Sequence, residues 1–154
     1  EDDFYVLEVL DAYLANGMSS RLFLEIREKR GLAYAVSSSI DAEKDYSFYS
    51  IYAGTIKKAI PEVKQIILEE LDRVKDLKEK DFVEARERVL GLKKVRSEES
   101  VGVMNELMFS ELSGEAEDYY RYDEFIQKVT LADVMRLAAM LLKKGYSSAA
   151  IVPK

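Results

Sequence analysis

The apolar spacing changes at Gly31 from every third or fourth residue to every second one, and that switch commits the chain to combining helices with a sheet. Ahead of it, Phe4, Leu7, Leu10 and Leu14 lie on one face of a helix over residues 3–15, with Asp2 or Asp3 as N-cap and Gly17 as its end. After the small turn Gly17-Met18-Ser19-Ser20, Leu22, Phe23 and Ile26 form the stripe of a second helix of about three turns, and Gly31 stands where a left-handed C-cap belongs. Beyond it, Leu32, Tyr34, Val36, Ser38 and Ile40 fall on one face and Ala33, Ala35, Ser37 and Ser39 on the other, the alternation of a strand. The polar connection Asp41 to Asp45 leads to a second β-favouring run, Tyr46 to Ala53. The two read as an antiparallel hairpin closed by Gly54 and Thr55.

Helical spacing then returns. Pro61 suits the first turn of a long helix with the core stripe Val63, Ile66, Ile67, Leu71 and Val74. Another helix starts near Glu79, placing Phe82, Ala85, Val89 and Leu92 inward and Arg86, Glu87, Lys93 and Lys94 in solvent. A third carries Val101, Met104, Leu107 and Met108, a stripe expected in the core, and stops at Gly114. A short helix follows around Tyr119, Tyr120, Tyr122, Phe125 and Ile126, the tyrosines expected to pack. Thr130 to Asp133 is a capping signal for one more helix, with Val134, Leu137, Ala138 and Leu141 inward, Lys143 and Lys144 at its negative end and Gly145 as its stop. Tyr146 to Val152 is expected as a final strand. The order helix, helix, strand, strand, several helices, strand is that of an α+β layer and not of repeated βαβ units. No linker, repeat or low-complexity segment divides residues 1–154, so a single domain is expected, and 48% hydrophobic residues suffice for one core.

Composition sets the chemistry. The chain contains no histidine and no cysteine, which removes Ser-His-Asp and Cys-His catalysis and the ligands from which nearly all zinc sites are made. No metal site is expected within it. A net charge of −6 argues against nucleic acid or an anionic membrane as partner, and no apolar run has spanning length. The lack of cysteine fits a reducing compartment. A cytoplasmic location is the expectation, with mitochondrion and periplasm left open.

Residues 17–37, Gly-Met-Ser-Ser-Arg-Leu-Phe-Leu-Glu-Ile-Arg-Glu-Lys-Arg-Gly-Leu-Ala-Tyr-Ala-Val-Ser, resemble the signature of the second-type domain of pitrilysin/insulinase metallopeptidases and of mitochondrial processing peptidase subunits. Tyr49-Ile51-Tyr52-Ala53-Gly54-Thr55, Glu69-Glu70-Leu71, Phe82 to Gly91 and Val129 to Val134 extend the likeness over nearly the whole chain. The resemblance implies one half of a clam-shell with a ferredoxin-like layer of antiparallel or mixed strands packed on helices. It also implies a separate half bearing an H-x-x-E-H zinc motif, so that zinc belongs to that partner and this chain is not active alone. It carries an Arg/Tyr pair onto Arg27 and Tyr34, with Gly31 as the structural turn between them. A guanidinium offers a fixed cationic fork to peptide carbonyls or a terminal carboxylate, and a phenol can donate to a developing oxyanion.

Ordinary roles compete with this one. Arg27 also suits a helix C-terminus and Tyr34 a half-buried strand position. Ser19 and Ser20 read as turn and cap residues, and Arg21, Lys29 and Arg30 as solvated or paired with Glu25 and Glu28. Three functions remain: the non-catalytic, substrate-binding half of a zinc endopeptidase; a non-proteolytic structural subunit like the core proteins of a respiratory complex; and a peptide-binding or assembly module with no metal partner. The presence of both Arg27 and Tyr34 favours the first. Relative to the family, the domain looks truncated before its first strand, and a fragment of a longer chain is the expectation. Its sheet edge between residues 46–53 and 146–152 is expected to close by direct pairing or by a strand from another chain, with self-association as one form of that closure.

Overall fold

A computed structural model describes residues 3–42 and 46–152. Asp2, half of the proposed N-cap, and residues 43–45 of the hairpin connection lie outside them. Helix α1, Asp3–Leu14, runs through the middle of the structure. Its apolar residues are not confined to one stripe, so Val6, Val9, Leu10, Ala12 and Leu14 are buried on several sides against α3, α5, α6 and β1. Full burial of a leucine such as Leu10 or Leu14 contributes about 1.5–3 kcal/mol. Asp11 is buried among them and accepts a hydrogen bond from the Tyr49 hydroxyl at 2.7 Å, which ties α1 to the sheet. Burial and the neighbouring Asp11 push the Tyr49 phenol above its ordinary pKa.

The hairpin forms as expected. β1, Ala33–Ala42, pairs antiparallel with β2, Ser47–Thr55, and Val36, Tyr49, Ile51 and Ala53 turn toward the core. Four longer helices follow the hairpin. They are α2, Ile60–Asp72; α3, Glu79–Arg96; α4, Ser100–Ser113; and α5, Asp118–Lys128. The last helix, α6, Leu131–Lys144, opens with a complete capping box. Asp133 N–H donates to Thr130 Oγ1 at 3.2 Å, and Thr130 N–H donates to Asp133 Oδ2 at 3.1 Å. Val63, Ile66, Leu71, Val74, Phe82, Ala85, Val89, Val134, Leu137 and Ala138 are buried where their spacing puts them.

Several expectations are corrected. Tyr146–Val152 forms no strand, and the described sheet contains β1 and β2 alone. Every residue of the segment is exposed, and it makes no ladder with the described strands. Direct pairing with β2 is therefore absent. Val101, Met104 and Met108 of α4 are exposed and not core, and that helix buries no residue among those described. Leu92 is likewise exposed, since the inward face of α3 ends at Val89 and Leu90. Lys93, expected in solvent, has a side chain only 13% exposed, ion-paired with Glu106 and lying 3.8 Å from the Tyr119 ring centroid. The partly buried carboxylate and aromatic faces supplied by α4 and α5 account for that inversion.

Candidate functional site

The site grows from an unusual turn. After one α-helical turn at Arg21 and Leu22, residues Phe23–Glu28 form a π-helix, in which Lys29 N–H reaches Leu24 O at 2.9 Å. Such widened turns are rare and often stand at functional sites. The widening sets Arg27 above Phe23, its guanidinium carbon 4.9 Å from that ring centroid. Gly31 then takes φ +60, while Gly31 N–H donates to Arg27 O and Leu32 N–H to Ile26 O, each at 2.9 Å. This left-handed residue reverses the chain from helix into β1, as its position suggested.

At the first residues of β1 the register slips. Ala33 lies opposite Thr55 and Ala35 opposite Gly54, which leaves Tyr34 as an extra residue in the strand. The bulge turns Tyr34 away from the core face where simple alternation placed it with Val36. Ala33 is 6% exposed in its stead, and Tyr34 is 83% exposed. That outward turn brings Tyr34 to Arg27, whose guanidinium carbon lies 5.2 Å from the phenol ring centroid. The two side chains thus form one contiguous group, with Phe23, buried as its spacing implies, as the floor. The i, i+4 spacing of Phe23 and Arg27 was the available signal.

Electrostatic anchoring separates Arg27 from its neighbours. Glu25, 4% exposed, accepts from Lys29 Nζ at 2.5 Å, Arg30 Nη1 at 2.7 Å and Arg21 Nη2 at 3.2 Å. Lys29 first, and then Arg30 and Arg21, hold this carboxyl well below the usual range, at about 2. Arg21 Nε also donates at 2.9 Å to Glu70, 2% exposed on α2, which Arg73 Nη1 reaches from its other side at 2.6 Å. The π turn is therefore bolted to α2 through Arg21. Arg27 takes no part in this. Its side chain is 40% exposed, and among the described residues its ion-pair neighbour is the exposed Glu28 at 3.8 Å, beyond hydrogen-bonding distance. Its donors and the Tyr34 hydroxyl face outward together. The surface depressions along α6 at Arg136 and Met140 and at Ser97, Val103 and Leu107 do not touch the pair. The group lies on open surface.

Residues 1–89 match the family model described as the peptidase M16 inactive domain. The chain belongs to that family. M16 inactive-domain relatives extend the match over almost all of it. An uncharacterized zinc protease of Mycobacterium leprae is 36% identical over 97% of this chain, and one of Streptomyces coelicolor is 34% identical over the same share. The chain spans about a third of the length of these relatives, 34% and 33%. Among solved structures, the M16 inactive domain of Pseudomonas fluorescens superposes with TM-score 0.76 at 19% identity, covering 89% of this chain and 34% of that one. A protease of Helicobacter pylori superposes with TM-score 0.77 at 20% identity, covering 91% and 34%. At those identities the likeness is one of fold, and it confirms the α+β architecture of an M16 inactive domain.

The residues of this chain do not fit a zinc ion. The sequence has neither imidazole nor thiolate, and among the described residues no three carboxylates converge. Among the described residues no helix is long and apolar enough to cross a membrane.

Proposed function

We propose that this chain is the non-catalytic, substrate-binding half of a zinc-dependent endopeptidase. In this reading Arg27 and Tyr34 face a peptide held by a half that carries the H-x-x-E-H motif and the metal. The observation that carries it is the outward-facing Arg27–Tyr34 pair, left free by a network that occupies Arg21, Lys29 and Arg30. Arg27 orients the peptide through its carbonyls or a terminal carboxylate, and stacking between Phe23 and Tyr34 limits the rotamers it must give up on binding. The Tyr34 hydroxyl donates to the oxygen of the carbonyl under attack as negative charge develops there.

Turnover by the assembled enzyme tests this directly. Arg27→Ala and Tyr34→Phe are each expected to lower kcat/KM by about one to three orders of magnitude, with Arg27→Lys intermediate because it keeps the charge and loses the fork. Circular dichroism and thermal unfolding should stay at the parental values, since both side chains are surface groups. Full activity in both variants would remove the pair from the reaction and favour a structural subunit.

A further inference from the structure

The cations that converge on Glu25 differ in their spacing from it. Arg21 and Lys29 stand four residues to either side, the separation at which side chains of an ordinary α-helix meet. Arg30 stands five away. In an α-helix that separation puts two side chains about 140° apart around the axis, on different faces. Here Arg30 Nη1 donates to Glu25 Oε2 at 2.7 Å and also to the Glu25 main-chain oxygen at 2.8 Å. The wide turn permits both bonds, because i→i+5 bonding brings residues five apart into line.

The main-chain contact matters as much as the ion pair. If this turn closed into an α-helix, Lys29 N–H would donate to Glu25 O, the oxygen four residues back. It donates instead to Leu24 O at 2.9 Å, and the Arg30 guanidinium bonds Glu25 O. Bonds from a guanidinium are the stronger, charge-assisted kind, and the Glu25 carboxylate that shares this one is buried. The same turn aims Arg27, whose guanidinium carbon lies 4.9 Å from the Phe23 ring centroid and 5.2 Å from that of Tyr34. Closing the turn moves the residues beyond it round the axis relative to those before it. That would change the distance of Arg27 from Phe23, upstream, and from Tyr34, beyond Gly31, together.

We propose that Arg30 is a positioning residue: its paired hydrogen bonds to the carboxylate and the main-chain oxygen of Glu25 select the wide turn over an α-helical one and so hold Arg27 against Phe23 and Tyr34. Lys29 bonds the same carboxylate but at a spacing that both helix forms allow, so it does not select between them. The effect of Arg30 on turnover rests on the Arg27–Tyr34 reading proposed above, and its effect on the turn does not.

Nuclear magnetic resonance of the chain tests the turn without any activity. Hydrogen-bond couplings should join Lys29 N–H to the Leu24 carbonyl in the parent and to the Glu25 carbonyl in Arg30→Met, a change at a side chain 39% exposed. The Arg27 Nε proton, moved upfield by the two rings in the parent, should return toward the position of a free arginine in that variant. Lys29→Met should keep both the Leu24 bond and the Arg27 shift. In the assembled enzyme Arg30→Met should lower kcat/KM by about one to two orders of magnitude, and by nothing further where Arg27 is already alanine. A parent chain with Lys29 bonded to Glu25, a Leu24 bond that persists in Arg30→Met, a switch produced equally by Lys29→Met, or an equal loss of turnover in the Arg27→Ala background would overturn the positioning role. If the turn switches as expected while Arg27→Ala keeps full turnover, the selection of the turn stands and the peptide-binding reading of Arg27 fails.

Discussion

Glu8 and Glu25 show how two carboxylates on one small fold acquire opposite pH behaviour. Glu8 lies between α1, α3, α4 and α5, where burial raises its pKa to about 7 despite the Tyr122 hydroxyl donating to it at 2.7 Å and the positive charges of Arg96 and Lys93; Glu106 adds repulsion. A carboxyl whose folded pKa is raised binds its proton more tightly in the native state. Its contribution is full below the unfolded value near 4.5 and is lost as pH rises through about 7. Glu25 is the reverse, with stability present above about 4.5 and lost as pH falls toward about 2. Glu8→Gln, which still accepts from Tyr122, should therefore stabilise the chain by about 1–3 kcal/mol at pH 8 and change little at pH 4. Thermal unfolding at the two pH values measures this, and an equal shift at both would show that Glu8 does not carry the titration.

The elements were legible where period and punctuation agree. Helices α1, α2 and α6 announce themselves through three-and-four spacing with Gly17, Pro61 and the Thr130–Asp133 box at their ends, and the structure places them there. The hairpin was legible for the same reason. The bulge at Tyr34 was not, because alternation shows which residues could share a face and cannot show that one residue is extra. The exposed stripe of α4 and the unpaired 146–152 share a different cause. Periodicity predicts a face that wants burial, and only tertiary packing decides whether this chain supplies the cover. Gly31 tests the element that joins the site's two halves. A Cβ there would meet nothing within 4 Å, so the cost of Gly31→Ala is conformational alone, about 1–2 kcal/mol for holding φ +60. Chemical denaturation should read that loss, and Gly31→Asn should lose less. No loss in either would mean the turn relaxes freely.

Taken whole, the pair proposed to face the peptide stands on a firmly held turn. The Glu25–Arg21–Glu70 network ties the π turn to α2, while Arg27 and Tyr34 stand toward the surface, and no metal-ligating cluster is found among the described residues. The sequence alone allowed the Arg/Tyr pair to be named through its resemblance, and the lack of histidine and cysteine excluded Ser-His-Asp, Cys-His and His-based zinc centres within this chain. What it could not show was that, among the described residues, Arg27 stays outside the Glu25–Glu70 network that holds Arg21, Lys29 and Arg30. Peptide hydrolysis measured for this chain, for the H-x-x-E-H-bearing half and for the two together tests the division of labour most directly. The expected result is no turnover and no stoichiometric zinc for this chain, turnover in the mixture, and a loss of about one to three orders of magnitude when the mixture contains Tyr34→Phe. Chelator-sensitive turnover or about one zinc bound per molecule of this chain alone would contradict it.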